Sequence, residues 1–207
     1  MDWEELFPII MVLLFAFGLP LLISNLRKGK QKKLDELYQH FPGIGVKASL
    51  LEKENAQEKV GQKRSWGEKV EGGIEIEDRN IDSIIVVSAS SQYGSTYYLN
   101  HLVTSPSSTG REDTKKTTMV RKKSPPIWGK VIDIEWRGDP YLVQRLNFDY
   151  QLKYKLLQAS PTPLKGNISI HPEPKHGYTR IRTDYQLPSS DLFEAIDTIA
   201  RHVKSET

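Results

Sequence analysis

The spacing of hydrophobic positions changes several times along the chain, and each spacing predicts a different kind of element. From Leu6 to Ile23, eighteen consecutive residues carry no charge. At about 1.5 Å per residue a helix of this length spans roughly 27 Å, close to the ~30 Å hydrocarbon core of a bilayer. Trp3 lies just outside, where an indole prefers the interface; Pro8 falls near the first turn, and Pro20 bends or ends the helix toward the far side. The pattern predicts a single N-terminal membrane anchor within residues 1–26. A cleaved signal peptide fits less well, because Asp2, Glu4 and Glu5 make the preceding flank acidic and no Ala-x-Ala-like site follows. A buried soluble helix fits less well too, since a basic cluster follows directly.

Beyond the anchor, Leu34, Leu37, Tyr38 and Phe41 recur at helical spacing and stop at Pro42-Gly43, predicting a short helix over 31–41. Residues 52–64 are polar and read as a helix or an exposed connection. The period then becomes two. Gly73–Glu77 alternates, Asp78-Arg79-Asn80 reads as a turn, Ile84–Val87 as a buried strand, and Thr96–Val103 as another. Residues 105–116 have loop composition. Ile132 and Ile134 alternate before a turn at Arg137–Pro140. Leu142, Leu146, Phe148, Tyr150, Leu152, Tyr154 and Leu156 all fall on even positions with polar partners between them, predicting a long bent strand or two strands joined by a bulge. Ile168/Ile170, a turn at Lys175–Gly177 and Thr179–Tyr185 complete a predicted antiparallel meander.

The last segment returns to helical spacing. Leu192, Phe193, Ile196, Ile199, Ala200 and Val203 form one apolar face over 191–204, Asp191 and Glu194 have capping-box spacing, and Arg201 and Lys204 sit where the helix dipole favours cations. The fold class is therefore α+β: an N-terminal transmembrane helix, a basic juxtamembrane segment and short helix over 27–43, and a mostly antiparallel β domain over 44–207 closed by a C-terminal amphipathic helix. Trp66-Gly67-Glu68-Lys69-Val70 and Trp128-Gly129-Lys130-Val131 open two stretches of similar order, each later reaching a Tyr/Leu segment (Tyr97/Leu99, Tyr154/Leu156) and a Ser-Pro loop. Two similar halves, about 64–125 and 126–187, are one reading. Chance likeness among strands built from a small alphabet is the other.

Charge sets the orientation. Arg27, Lys28, Lys30, Lys32 and Lys33 follow the span, while residues 1–5 carry −3, so the positive-inside rule places the N-terminus outside the cell membrane and the domain in the cytoplasm. A second basic run, Lys115, Lys116, Arg121, Lys122 and Lys123, could dock on anionic lipid or an acidic partner, and Arg180 and Arg182, which share a strand face, could join it. A solvated loop is the simpler reading of that run. Net charge is only +3 and sits in two short runs, which argues against nucleic acid as a partner.

The chain has no cysteine, which excludes disulfides, thiolate catalysis and Cys-based metal sites. His171-Pro172-Glu173-Pro174-Lys175-His176 is dense in ligand types, but its spacing matches no helical zinc motif and its prolines forbid a helix, so no metal or other cofactor is predicted. Gly43-Ile44-Gly45 lacks the third glycine of a phosphate loop. Asp133, Glu135 and Asp139 are most simply solvent-facing, and no residue is assigned as catalytic. The expectation is a non-enzymatic, membrane-anchored module that binds a protein partner or anionic lipid, as an accessory subunit of a membrane complex or through a homo-oligomeric contact. The alternative is a small-molecule-binding or enzymatic domain with its pocket between the sheet and the C-terminal helix.

Overall fold

The computed structural model describes residues 32–59, 67–92, 94–104, 115–125, 129–158 and 164–205. The predicted span over 6–23 lies outside them, as do Trp66 and Trp128; among the described residues no helix is long and apolar enough to cross a membrane.

Helix α1 covers 32–40 and tightens into a 3₁₀ turn at Phe41–Ile44, which Gly45 ends in the left-handed conformation. Strand β1 (Ala48–Leu51), helix α2 (Lys53–Lys59), and strands β2 (Glu68–Ile76), β3 (Ser83–Ser91) and β4 (Gly94–Thr104) follow. Next come β5 (Thr117–Ser124), β6 (Lys130–Arg137), helices α3 (Pro140–Phe148) and α4 (Tyr150–Gln158), strands β7 (Ser169–Glu173) and β8 (Tyr178–Asp184), and helix α5 (Ser190–Lys204). The eight strands form one antiparallel sheet in the order β1-β2-β3-β4-β8-β7-β5-β6. The C-terminal hairpin β7–β8 is thus wedged between two earlier parts, and β7 meets β5 through only two register pairs, Thr117 with Ile170 and Thr118 with Ser169.

The chain folds as α+β with its C-terminal helix as expected, but the segment read as a strand from Leu142 to Leu156 is the helical pair α3–α4. Asp139 is the N-cap of α3, its carboxylate accepting from the Tyr141 and Leu142 amides, with Pro140 at the first helical position. Asp149 then accepts from the Leu152 amide (2.9 Å) and starts α4. Leu142 and Leu146, then Leu152 and Leu156, are buried at i, i+4 spacing within each helix. The meander is therefore interrupted, and the likeness between the two proposed halves stops after β2 and β6: Tyr97/Leu99 lie in a strand, Tyr154/Leu156 in a helix. Ser189, not Asp191, caps α5, accepting from the Leu192 amide at 3.3 Å.

Helices α1, α3, α4 and α5 share one face of the sheet. Leu34, Leu37, Leu142, Leu152, Phe193, Ile196 and Ile199 bury there against Ile74, Ile84, Val86, Leu99, Ile181 and Trp136. Among the described residues, α2 alone lies over the other face, where Ala56 meets Val70, Ile85 and Val87. Ile84–Val87 is apolar throughout because it is covered on both sides. The adjacent Gly72 and Gly73 let both helices approach: a side-chain carbon on Gly72 would collide with Leu34 of α1, and one on Gly73 would come within 3.1 Å of Ala56 of α2. The outer edge of β6 is blunted by Asn147, whose side chain accepts from the Trp136 amide (2.8 Å) and donates to its carbonyl (3.2 Å).

Candidate functional site: the sheet face shared with α2

Strand alternation breaks up the second basic run. Lys115 and Lys116 are exposed at the entry to β5. Arg121 turns to the helix side, where its guanidinium donates to the Leu164 carbonyl (3.0 Å) and burial pulls its pKa down. Lys122 points the other way and pairs with Glu135 (3.2 Å) and Asp133 (3.6 Å), while Lys123 is exposed. No single cationic surface results, because neighbours in a strand face opposite sides. Of the first cluster, Lys32 and Lys33 begin α1 and flank Glu36 at 3.9 and 3.1 Å, with Lys33 lying 4.9 Å from the Tyr185 ring centre; Arg27, Lys28 and Lys30 lie outside the described residues.

The two histidines of 171–176 are separately engaged. His171 contacts the Ser169 hydroxyl (3.0 Å), and His176 stacks on Tyr178 at 6.0 Å. Among the described residues no group of three or more His, Asp or Glu side chains is placed to hold a metal. Asp133 and Glu135 are ion-paired and Asp139 is the helix cap, so these carboxylates serve the fold.

The concentration of chemistry lies on the face where, among the described residues, α2 is the one helix. On the face shared with α2, two cross-strand rows follow from the register: Asn100–Arg182–Ser169 and Leu102–Arg180–His171, contributed by β4, β8 and β7. The Arg182 side chain crosses from β8 over the Tyr98 ring, 3.9 Å from its centre, to reach Glu68 of β2 at 2.7 Å. Arg180 pairs with Glu173 at 2.8 Å. Glu173 does not exhaust Arg180, whose Nε is buried without a partner. Asn100 is fully buried, and neither its amide oxygen nor its nitrogen has a partner. Each such orphaned group costs about 1–3 kcal/mol in the interior, so its retention in a central strand calls for a reason.

The field over this cluster is positive despite the two carboxylates. Burial, together with the charges of Arg180, Lys116 and Arg182, pushes the His171 pKa down to about 4. So held, its imidazole is neutral and a poor base, and the Ser169–His171 pair is not an activated nucleophile. Lys116 is the member of the predicted basic run that joins Arg180 and Arg182.

Adjoining the cluster is an open cleft of about 570 Å³ between α2 and the β7–β8 turn. Leu51, Leu102, Thr104 and Tyr178 line it, together with the charged Glu58, Lys59, Glu75 and Asp82. Leu102 is the register partner of Arg180 and Tyr178 that of Glu173, so the cleft borders the cluster, although Asn100, Arg180 and Arg182 do not themselves line it. Burial raises the Tyr178 pKa to about 12, so its hydroxyl keeps its proton. The cleft is on the side of the sheet away from α5, whose apolar face is buried in the main core.

A second surface lies on the helical layer. Tyr141, Phe148, Tyr150 and Tyr154, all on α3 and α4, are 61–72% exposed. Tyr150 and Tyr154 share a face of α4, as Tyr141 and Phe148, seven residues apart, do on α3. Phe148, Tyr150 and Tyr154 occupied core positions of the strand read from the sequence; helical phasing turns them outward. No protein-family model matches the chain, and no curated protein or solved structure matches it.

Proposed function

We propose that the chain is a non-enzymatic recognition module, held at a membrane by its N-terminal segment with its folded part on the cytoplasmic side, that binds a protein partner through the aromatic surface of α3 and α4. The observation that carries this reading is the exposure of Tyr141, Phe148, Tyr150 and Tyr154 on two consecutive helices. Tyrosines present large area at low entropic cost and dominate protein interfaces, and exposed apolar patches on a folded domain mark contact sites.

A protein fits better than an anionic bilayer because nearby cations are already paired: Lys153 with Asp133 (2.5 Å) and Lys155 with Glu194 (2.5 Å). The test is purification of the full-length protein from its native membrane in mild detergent, wild type beside Tyr150→Ser/Tyr154→Ser, with mass spectrometry of what accompanies each. A stoichiometric protein that is lost with the variant, while the circular dichroism is unchanged, is the expected result. A partner retained by the variant, or none recovered with wild type, refutes the reading.

A further inference from the structure

We propose that the sheet face shared with α2 binds a small organic anion, its carboxylate or phosphoryl group held by Arg180, Arg182 and Asn100 and its apolar body lying in the adjoining cleft against Leu102 and Tyr178. The proposal concerns a different surface from the aromatic contact of α3 and α4, and stands or falls separately.

The argument begins with placement. Asn100 and the two arginines come from neighbouring strands near the middle of an eight-stranded sheet, positions usually filled by apolar side chains. A buried amide there is kept only where something uses it, and here both of its polar atoms lack partners. The Arg180 Nε, buried and unpartnered, is a second donor on the same face, one row away. Planar guanidinium groups with free N–H donors match the geometry of carboxylate and phosphoryl oxygens. Arg182 faces Asn100 in register and extends to Glu68, so the carboxylate now holding it competes for the same donors that an anion would take.

The cleft supplies the other half of the ligand. Its volume of about 570 Å³ falls within the range of small-molecule sites. Leu102 and Tyr178 continue directly from the arginine rows, and Glu58, Glu75 and Asp82 also line the cleft. These carboxylates repel an anionic head, so an anion with a compact apolar body lies with its head toward the arginines.

Isothermal titration of the full chain in mild detergent, with phenyl phosphate, benzoate and inorganic phosphate as probes, tests this. Arg182→Gln alone would strand the mostly buried Glu68 carboxylate, so the first variant is Glu68→Gln/Arg182→Gln. The second is Asn100→Leu, which removes an unpaired amide without removing volume and leaves the protein at least as stable. Phenyl phosphate or benzoate should saturate wild type, and both variants should weaken that binding by at least about ten-fold. Benzoate against phenyl phosphate then distinguishes carboxylate from phosphoryl recognition. Failure of both organic anions to bind wild type, or binding by either variant as tight as wild type's, overturns the proposal. Inorganic phosphate binding as tightly as phenyl phosphate overturns the role given to the cleft.

Discussion

His101 makes stability depend on pH in a way that can be isolated. It sits in β4 on the helix-covered face, 1% exposed, between Ile84 of β3 and Ile181 of β8. A carbonyl can only accept, so Nδ1 carries the proton and donates to the Ile181 carbonyl at 3.1 Å. Burial pushes the pKa down from 6.5 to about 4, and the bond to Ile181 offsets that only in part. In the unfolded chain the ring protonates near pH 6.5, whereas in the fold it stays neutral until about pH 4. Between those values the unfolded state binds one more proton, so stability falls as pH falls, by about 1.4 kcal/mol per pH unit from this residue and about 3 kcal/mol in all. Above pH 6.5 the group adds no pH dependence. His171 acts in the same direction, by less, because it is only partly buried. His101→Gln keeps an N–H for the Ile181 carbonyl and removes the titration. Urea unfolding of the full chain in mild detergent, followed at a series of pH values from 7.5 to 4.5, should give a wild-type slope steeper than the variant's by close to 1.4 kcal/mol per pH unit below pH 6. Parallel slopes would refute the assignment of a buried, neutral His101.

Three further substitutions test the packing. Asp197 of α5 accepts from the Asn80 amide and side chain (both 2.7 Å) and from the Ile81 amide (3.2 Å), tying the β2–β3 turn to the helix; Asp197→Ala should cost about 2–4 kcal/mol, read as a fall in thermal midpoint by circular dichroism. Asn147→Ala exposes the backbone of Trp136 at the β6 edge and should produce concentration-dependent self-association in light scattering, where wild type shows none through this edge. Gly138 has φ 143°, and a side-chain carbon there would press into the Lys116 carbonyl and Thr117. Gly138→Ala should therefore lower the urea midpoint by the equivalent of about 2 kcal/mol, without a change of slope.

The parts of the fold that local periodicity governs were legible. Alternation around Ile74, the buried apolar run Ile84–Val87, the turn at Asp78 (φ 57°) and the apolar face of α5 all appear where the sequence puts them. The failure at 142–156 has a definite cause. Two nine-residue helices meet at Asp149, and that break resets the phase so that Leu142, Leu146, Leu152 and Leu156 share parity with the outward Phe148, Tyr150 and Tyr154. Aromatic residues also favour strands, which strengthened the wrong period. The correcting signal was Asp139-Pro140, a cap followed by proline at the first helical position, which also reads as a turn. The candidate site was less legible. Arg180 and Arg182 were visible as one face of a strand, and His171 meets Arg180 through the local β7–β8 hairpin, but Asn100 joins them only because β8 inserts beside β4, a pairing that no local pattern encodes.

That insertion also dictates an order of assembly. Strands β1–β4 and the hairpin β5–β6 each close through contacts local in sequence, yet they belong to one sheet only through β7 and β8. While the chain is being synthesised, β4 and β5 wait with unpaired edges until residues 169–184 have left the ribosome, and the helix that seals the core, Ser190–Lys204, emerges later still. The last forty residues are thus a keystone. A chain truncated before Ser169 would hold two separate sheet fragments with open edges, the state most prone to aggregate, and ribosome-stalled chains of that length should remain protease-sensitive until the C-terminal hairpin and helix are free to dock.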